Sequence, residues 1–86
     1  MAELKVFWTI TARKQRDHIF KYWNKRNRST AYSKKLNRKI KDRLKVLKAH
    51  PEAGKATEFK TTRTTALGHY SIFYQVMENQ IIIMGF

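Results

Sequence analysis

Residues 63–77, Arg63-Thr64-Thr65-Ala66-Leu67-Gly68-His69-Tyr70-Ser71-Ile72-Phe73-Tyr74-Gln75-Val76-Met77, carry the pattern that decides the fold. From His69 onward, His69, Ser71, Phe73, Gln75 and Met77 alternate with Tyr70, Ile72, Tyr74 and Val76. A two-residue period rich in aromatic and β-branched side chains is the mark of a strand with two unlike faces. Gly68 is the turn that precedes it, since glycine reaches backbone conformations closed to other residues. The more uniformly apolar Tyr70 set is assigned to a buried face, which leaves His69, Ser71, Phe73 and Gln75 on the other. A slip of one residue in register would exchange the two sets.

Working outward, Thr57 to Leu67 holds threonines at 57, 61, 62, 64 and 65 and reads as one strand or two short ones. Downstream, Glu78-Asn79 fits a tight hairpin leading into a final apolar strand, Gln80 to Phe86. The proline of His50-Pro51-Glu52-Ala53-Gly54 ends a helical region, because it cannot continue the hydrogen-bond ladder. Before it, Tyr32, Leu36, Ile40, Leu44 and Leu47 recur at spacings of three or four, predicting a helix from Ala31 to Lys48. Lys34, Arg38, Lys41, Lys45 and Lys48 keep similar spacings about 100° further round that helix, interrupted only by Asp42. An earlier helix over 12–27, capped by Thr11, buries Ala12, Ile19, Phe20, Tyr22 and Trp23. Asn27-Arg28-Ser29-Thr30 joins the two helices, and Leu4 to Ile10 reads as an opening strand.

The element order is therefore β-α-α-β-β-β: an α+β fold in which a helical hairpin packs on one face of an antiparallel sheet. Eighty-six residues make one domain, 1–86, and not two.

Composition narrows the chemistry. Without cysteine, neither a disulfide framework nor a thiolate metal site exists. His18, His50 and His69 lack the short spacings of metal ligands, so no metal or other cofactor is expected. The opening residues carry an acid where a signal peptide needs positive charge, and no apolar run reaches the roughly 18 residues of a membrane span. The expected protein is soluble and cytoplasmic, with no membrane partner. Nineteen Lys/Arg against six Asp/Glu give a net charge of +13. Self-repulsion on that scale favours a polyanionic or acidic partner that relieves it.

The run Arg63 to Val76, with its Leu67-Gly68 turn and Tyr70 to Tyr74, resembles the signature stretch of the RelE/ParE toxin superfamily. His50-Pro51-Glu52-Ala53-Gly54, closing a leucine-rich helix, is similar to that family's Pro-x-x-Gly junction, and the opening strand with Thr11-Ala12 also matches. The resemblance spans nearly the whole chain. It implies the toxin of a type II toxin–antitoxin pair, of the kind linked to plasmid stabilization and neutralised by a cognate acidic antitoxin. Some members of the superfamily enter the ribosome and cut mRNA without a metal, whereas others inhibit DNA gyrase and cut nothing. The function expected of this chain is ribosome-dependent mRNA cleavage, with non-catalytic gyrase inhibition or a basic nucleic-acid-binding role as the alternatives. Two departures bear on that choice. The arginine that the family places directly after the tyrosine is Ser71 here, and the chain ends at Phe86, short of the C-terminal Arg, His or Tyr residues that the nucleases carry. Either the chain is shortened or this member does not cleave RNA in the usual way.

Metal-free RNA cleavage needs a base, an acid and cations around one phosphate. Under that reading the catalytic candidates are Arg63, Lys60 and His69 on the sheet face. Arg63 suits phosphate through its planar fork, and His69 offers an imidazole able to move protons or bond a base. For Arg63 the alternative is a structural ion pair or capping contact; for His69, a plain surface group. Candidate nucleic-acid contacts are Lys55, Phe73 as a stacking platform, and the row Lys34, Arg38, Lys41, Lys45 and Lys48. The alternative for the row is a solvated helix face.

Overall fold

The computed structural model describes residues 4–59 and 61–86. Its elements are β1 (Lys5–Trp8), α1 (Ile10–Asn27), α2 (Ala31–Ala49), a 3₁₀ turn (Pro51–Ala53), β2 (Lys55–Ala56), β3 (Thr62–Leu67), β4 (Tyr70–Met77) and β5 (Gln80–Gly85). The helix-capping threonine is Thr9 and not Thr11. Its hydroxyl accepts from the Ala12 N–H at 3.1 Å while donating to the Ile83 carbonyl at 2.9 Å, so one side chain starts α1 and anchors it to β5. α1 ends at Arg28, whose left-handed backbone (φ 50°) returns its N–H to the Asn24 carbonyl.

The predicted α+β plan is present, with one added strand and one parallel pair. The sheet order is β1-β5-β4-β3-β2. β2 through β5 form an antiparallel meander, and β1 lies parallel to β5. The two differences have one cause. Following the ladders back from β5, the helical hairpin delivers β2 antiparallel to β1, and three further reversals leave β5 parallel to it. Among the described residues the threonine-rich stretch Thr57 to Leu67 holds a single strand, β3. The two-residue β2 lies just upstream of it, was not expected, and supplies the extra reversal that makes the last strand parallel to the first.

Both turns of the meander have the chemistry their geometry needs. Glu78 and Asn79 sit at φ 45° and 66°, the doubly left-handed pattern of a type I′ hairpin. Gly68 has φ 67° at the first position of the Gly68-His69 turn, where a side chain would be strained. In β5 the register skips at Met84, because Phe73 faces Gly85 while Tyr74 faces Ile83.

One face of the sheet is covered by the helices. Ile72 and Tyr74 of β4, Ile81 and Ile83 of β5, and Leu67 of β3 are buried against Ala12, Leu36, Ile40 and Leu47. Each such side chain contributes about 1.5–3 kcal/mol by leaving water. Ser33 ties the two helices together, its hydroxyl lying within hydrogen-bonding distance of both the Phe20 carbonyl and the Asn24 side-chain amide. Trp23 donates from Nε1 to the Tyr70 hydroxyl at 2.6 Å. Tyr22 departs from the predicted buried stripe. It is 49% exposed, lying edge-on to Trp23 and accepting a hydrogen bond from Arg26.

Replacing Thr9 by alanine removes the cap of α1 and its link to β5. We expect a loss of about 1 kcal/mol in urea unfolding, with the fold retained.

Candidate functional site

Three places carry chemistry, and they lie on different parts of the molecule. The first is on the helix side, under the Pro51–Gly54 turn. Tyr74 is fully buried, and its hydroxyl donates to the Pro51 carbonyl at 2.7 Å while accepting from the Gly54 N–H at 2.9 Å. Gly54 is the residue that permits this approach. A Cβ there would stand 2.7 Å from Tyr74 Cε1 and nearer still to the phenolic oxygen, inside any tolerable contact. Arg63 completes the arrangement, donating from Nη1 to the Gly54 carbonyl at 2.9 Å and more weakly toward the Glu52 carbonyl at 3.4 Å.

This placement of Arg63 corrects the expectation that it shares a sheet face with His69. Arg63 pairs with Tyr74, Thr65 with Ile72 and Leu67 with Tyr70, so Arg63 belongs to the helix-covered face. Of the two roles open to Arg63, the geometry shows the structural contact, made to backbone carbonyls and not to a carboxylate. His69 is exposed in the turn at the other end of the strand pair. It lies five residues before Tyr74, about 17 Å away at the rise of an antiparallel strand. Lys60, the third catalytic candidate, lies outside the described residues. The structure therefore does not bring Arg63 and His69 to one phosphate.

The second place is the open face of the sheet. As the alternation predicts, Ser71, Phe73 and Gln75 face away from the helices, and Phe73 is 42% exposed. Gln75 donates to the hydroxyls of Thr61 and Thr62, both at 3.1 Å. Lys55, opposite Thr64, is exposed at the far margin of this face. Phe7 (56% exposed), Ile82 and Met84 lie on the same face, an apolar extension that the sequence reading missed. The available signal was Phe7 itself, the apolar residue standing between the two buried-face members Val6 and Trp8.

The third place is α2. Lys34, Arg38, Lys41 and Lys45 are exposed and Lys48 half-buried, all turned away from the stripe of Ser33, Leu36, Ile40 and Leu47. The predicted cationic row is thus continuous over the outer surface of the helix. A groove of about 430 Å³ on one flank of α2 is lined by Lys39, Asp42, Arg43, Val46, Leu67 and Gly68. Among the described residues, no three His, Asp or Glu side chains converge as metal ligands, and no helix is long and apolar enough to cross a membrane.

Comparison with known proteins agrees with this architecture. Residues 6–86 match the family described as the ParE toxin of the type II toxin–antitoxin system parDE. The chromosomal ParDE toxin–antitoxin system of P. aeruginosa contains a chain with the same fold (TM-score 0.75, 24% identity, covering 94% of this chain and 90% of that one). The YoeB dimer of Staphylococcus aureus is similar as well (TM-score 0.69, 17% identity, covering 98% and 94%). No individually curated protein matches the sequence.

The buried phenol gives two expected outcomes. Tyr74→Phe leaves the Gly54 N–H and the Pro51 carbonyl without their partner, at about 1–3 kcal/mol in chemical denaturation. Gly54→Ala forces the turn off the ring and is the more damaging change, read as a larger fall in the unfolding midpoint.

Proposed function

The chain belongs to the ParE toxin family of type II toxin–antitoxin systems, and from that premise we propose that it poisons its target by binding, as a non-catalytic inhibitor of DNA gyrase in the cytoplasm. A cognate acidic antitoxin holds it in check. The single observation that carries this reading is the dispersal of the catalytic candidates. Acid–base cleavage of RNA requires its proton donor, proton acceptor and cations within hydrogen-bond reach of one phosphodiester. Arg63 is engaged with the Gly54 carbonyl on the helix side, His69 stands in a distant turn, and Ser71, near the turn end of β4 on the open face, stands where the resembled family has an arginine.

What the molecule does present suits adhesion. The row Lys34, Arg38, Lys41 and Lys45 offers charge without a reactive centre, which suits phosphate contacts or an acidic protein surface. The open face offers Phe7, Phe73 and Met84, and aromatic anchors of this kind dominate protein interfaces.

A ribosome-dependent mRNA nuclease is the competing reading, and two assays on the intact chain separate them. Plasmid supercoiling by purified gyrase should stop on adding the protein, while toeprinting on translating ribosomes should show uncut message. Cleaved mRNA together with unimpeded supercoiling would reverse the assignment. Lys34→Glu with Arg38→Glu should weaken gyrase inhibition about two- to thirtyfold, given ~0.2–1 kcal/mol for each exposed charge pair.

A further inference from the structure

The groove between α2 and the β3–β4 turn shares no residue with the cationic row or with the open sheet face. About 430 Å³ in volume, it is lined by Lys39, Asp42, Arg43, Val46, Leu67 and Gly68. The helical period explains how these side chains meet. Lys39, Asp42 and Val46, at spacings of three and four, form a line along one side of α2. Arg43 lies about 100° round from Asp42, toward the core residues Ile40 and Leu47. The opposite wall is the end of β3, where Leu67 is buried and Gly68 opens the turn.

The charged groups of this groove are not used by the fold. Arg43 is half-buried, yet among the described residues its guanidinium has no hydrogen bond, ion pair or aromatic contact. The other two half-buried arginines do have acceptors: Arg16 donates to Asp17 and Arg63 to the Gly54 carbonyl. Lys39 and Asp42 are exposed and also without partners among the described residues, so the one acid in the groove neutralises neither cation. A guanidinium withdrawn from part of its hydration gains nothing in return until an anion meets it.

We propose that this groove is a nucleotide-binding site, in which Arg43 and Lys39 hold the phosphate, Val46 and Leu67 support the base, and Asp42 accepts from the base's exocyclic amino group. The inference goes beyond the inhibitor reading and does not depend on which machine the toxin poisons. Each lining side chain has a part in it. The planar fork of Arg43 can donate two bonds to one phosphate, and Lys39, one turn away at a rise of about 6 Å, adds a second cation. Val46, 44% exposed, gives an apolar platform beside Leu67. Asp42 can only accept and would repel a phosphate set against it, so it belongs with the base and selects one that carries an amino group. At Gly68 a Cβ would meet nothing within 4 Å, which leaves the mouth open on the turn side. The volume falls within the roughly 300–1,000 Å³ of small-ligand sites.

Other occupants use less of the groove. Inorganic phosphate would engage the two cations and leave Asp42, Val46 and Leu67 idle. An acidic peptide would set further carboxylates against Asp42. A duplex could bring its phosphates close, but its bases stay stacked and paired and none could lie on Val46. A free nucleotide and an unpaired strand offer the same chemistry.

The test is titration of the intact chain followed by amide NMR shifts. Cytidine monophosphate should shift residues 39–46 and 67–69. It should bind about two- to tenfold tighter than uridine monophosphate, which has a carbonyl oxygen in place of the amino group. Asp42→Asn should remove that preference without weakening the hold on phosphate. Lys39→Gln with Arg43→Gln should weaken cytidine monophosphate about tenfold or more. Lys14→Gln with Lys21→Gln, the same loss of charge at exposed positions of α1, should change it less than about twofold. Lys39→Gln alone, at an exposed position, should still weaken binding in a chain that folds as before. A short unpaired oligocytidylate that binds tighter per nucleotide than the monophosphate would name a nucleic-acid strand as the source, and equal binding would name the free nucleotide. Inorganic phosphate or a duplex binding as tightly as these ligands would overturn the site, as would equal losses from the two double variants. Shifts centred on Lys34, Arg38 and Lys45, or no shift at millimolar monophosphate, would overturn it as well.

Discussion

The phenol of Tyr74, closed under the Pro51–Gly54 turn, is the constraint on which the rest of the structure depends. It is a fully buried polar group with both of its hydrogen-bonding roles met by backbone atoms from the far side of the helical hairpin. Buried polar groups impose position because leaving them unpaired costs more than pairing them gains. Here the pairing fixes the end of α2 above the middle of β4, and Arg63 holds the same turn from the neighbouring strand. The chain can then enter β2 only at Gly54, where the absence of a side chain makes room for the ring. The residues that make the chain recognisable as a family member, Pro51, Gly54, Arg63 and Tyr74, are thus explained by architecture.

Much of this was legible in the residues. The alternation from His69 to Met77 assigned the correct faces, although Val76, counted with the buried set, is 41% exposed near the end of β4. The three-and-four spacing of Leu36, Ile40 and Leu47 located the core side of α2 and, by subtraction, its cationic side. The face of Arg63 was legible too, since it shares parity with Leu67, a residue that belongs in the core. β2 was harder to see because two residues carry no period. It is created by its pairing with Thr64 and Arg63 and not by its own sequence. The cap at Thr9 was hidden for a similar reason. Its advantage over Thr11 is the second hydrogen bond to Ile83, a contact between residues 74 positions apart.

Function follows from what the core leaves outside. Even if each of the six acids paired with one cation, thirteen of the nineteen Lys and Arg would remain unneutralised, so association with an anionic surface relieves repulsion that the isolated chain must bear. That charge is arranged on the outer side of α2, while the apolar excess is on the open sheet face.

The most direct test of this account is Arg63→Ala, measured for both unfolding free energy and gyrase inhibition per folded molecule. The account predicts a clear loss of stability with inhibition retained once the folded fraction is matched. Unchanged stability with inhibition abolished would place Arg63 at the target and contradict it.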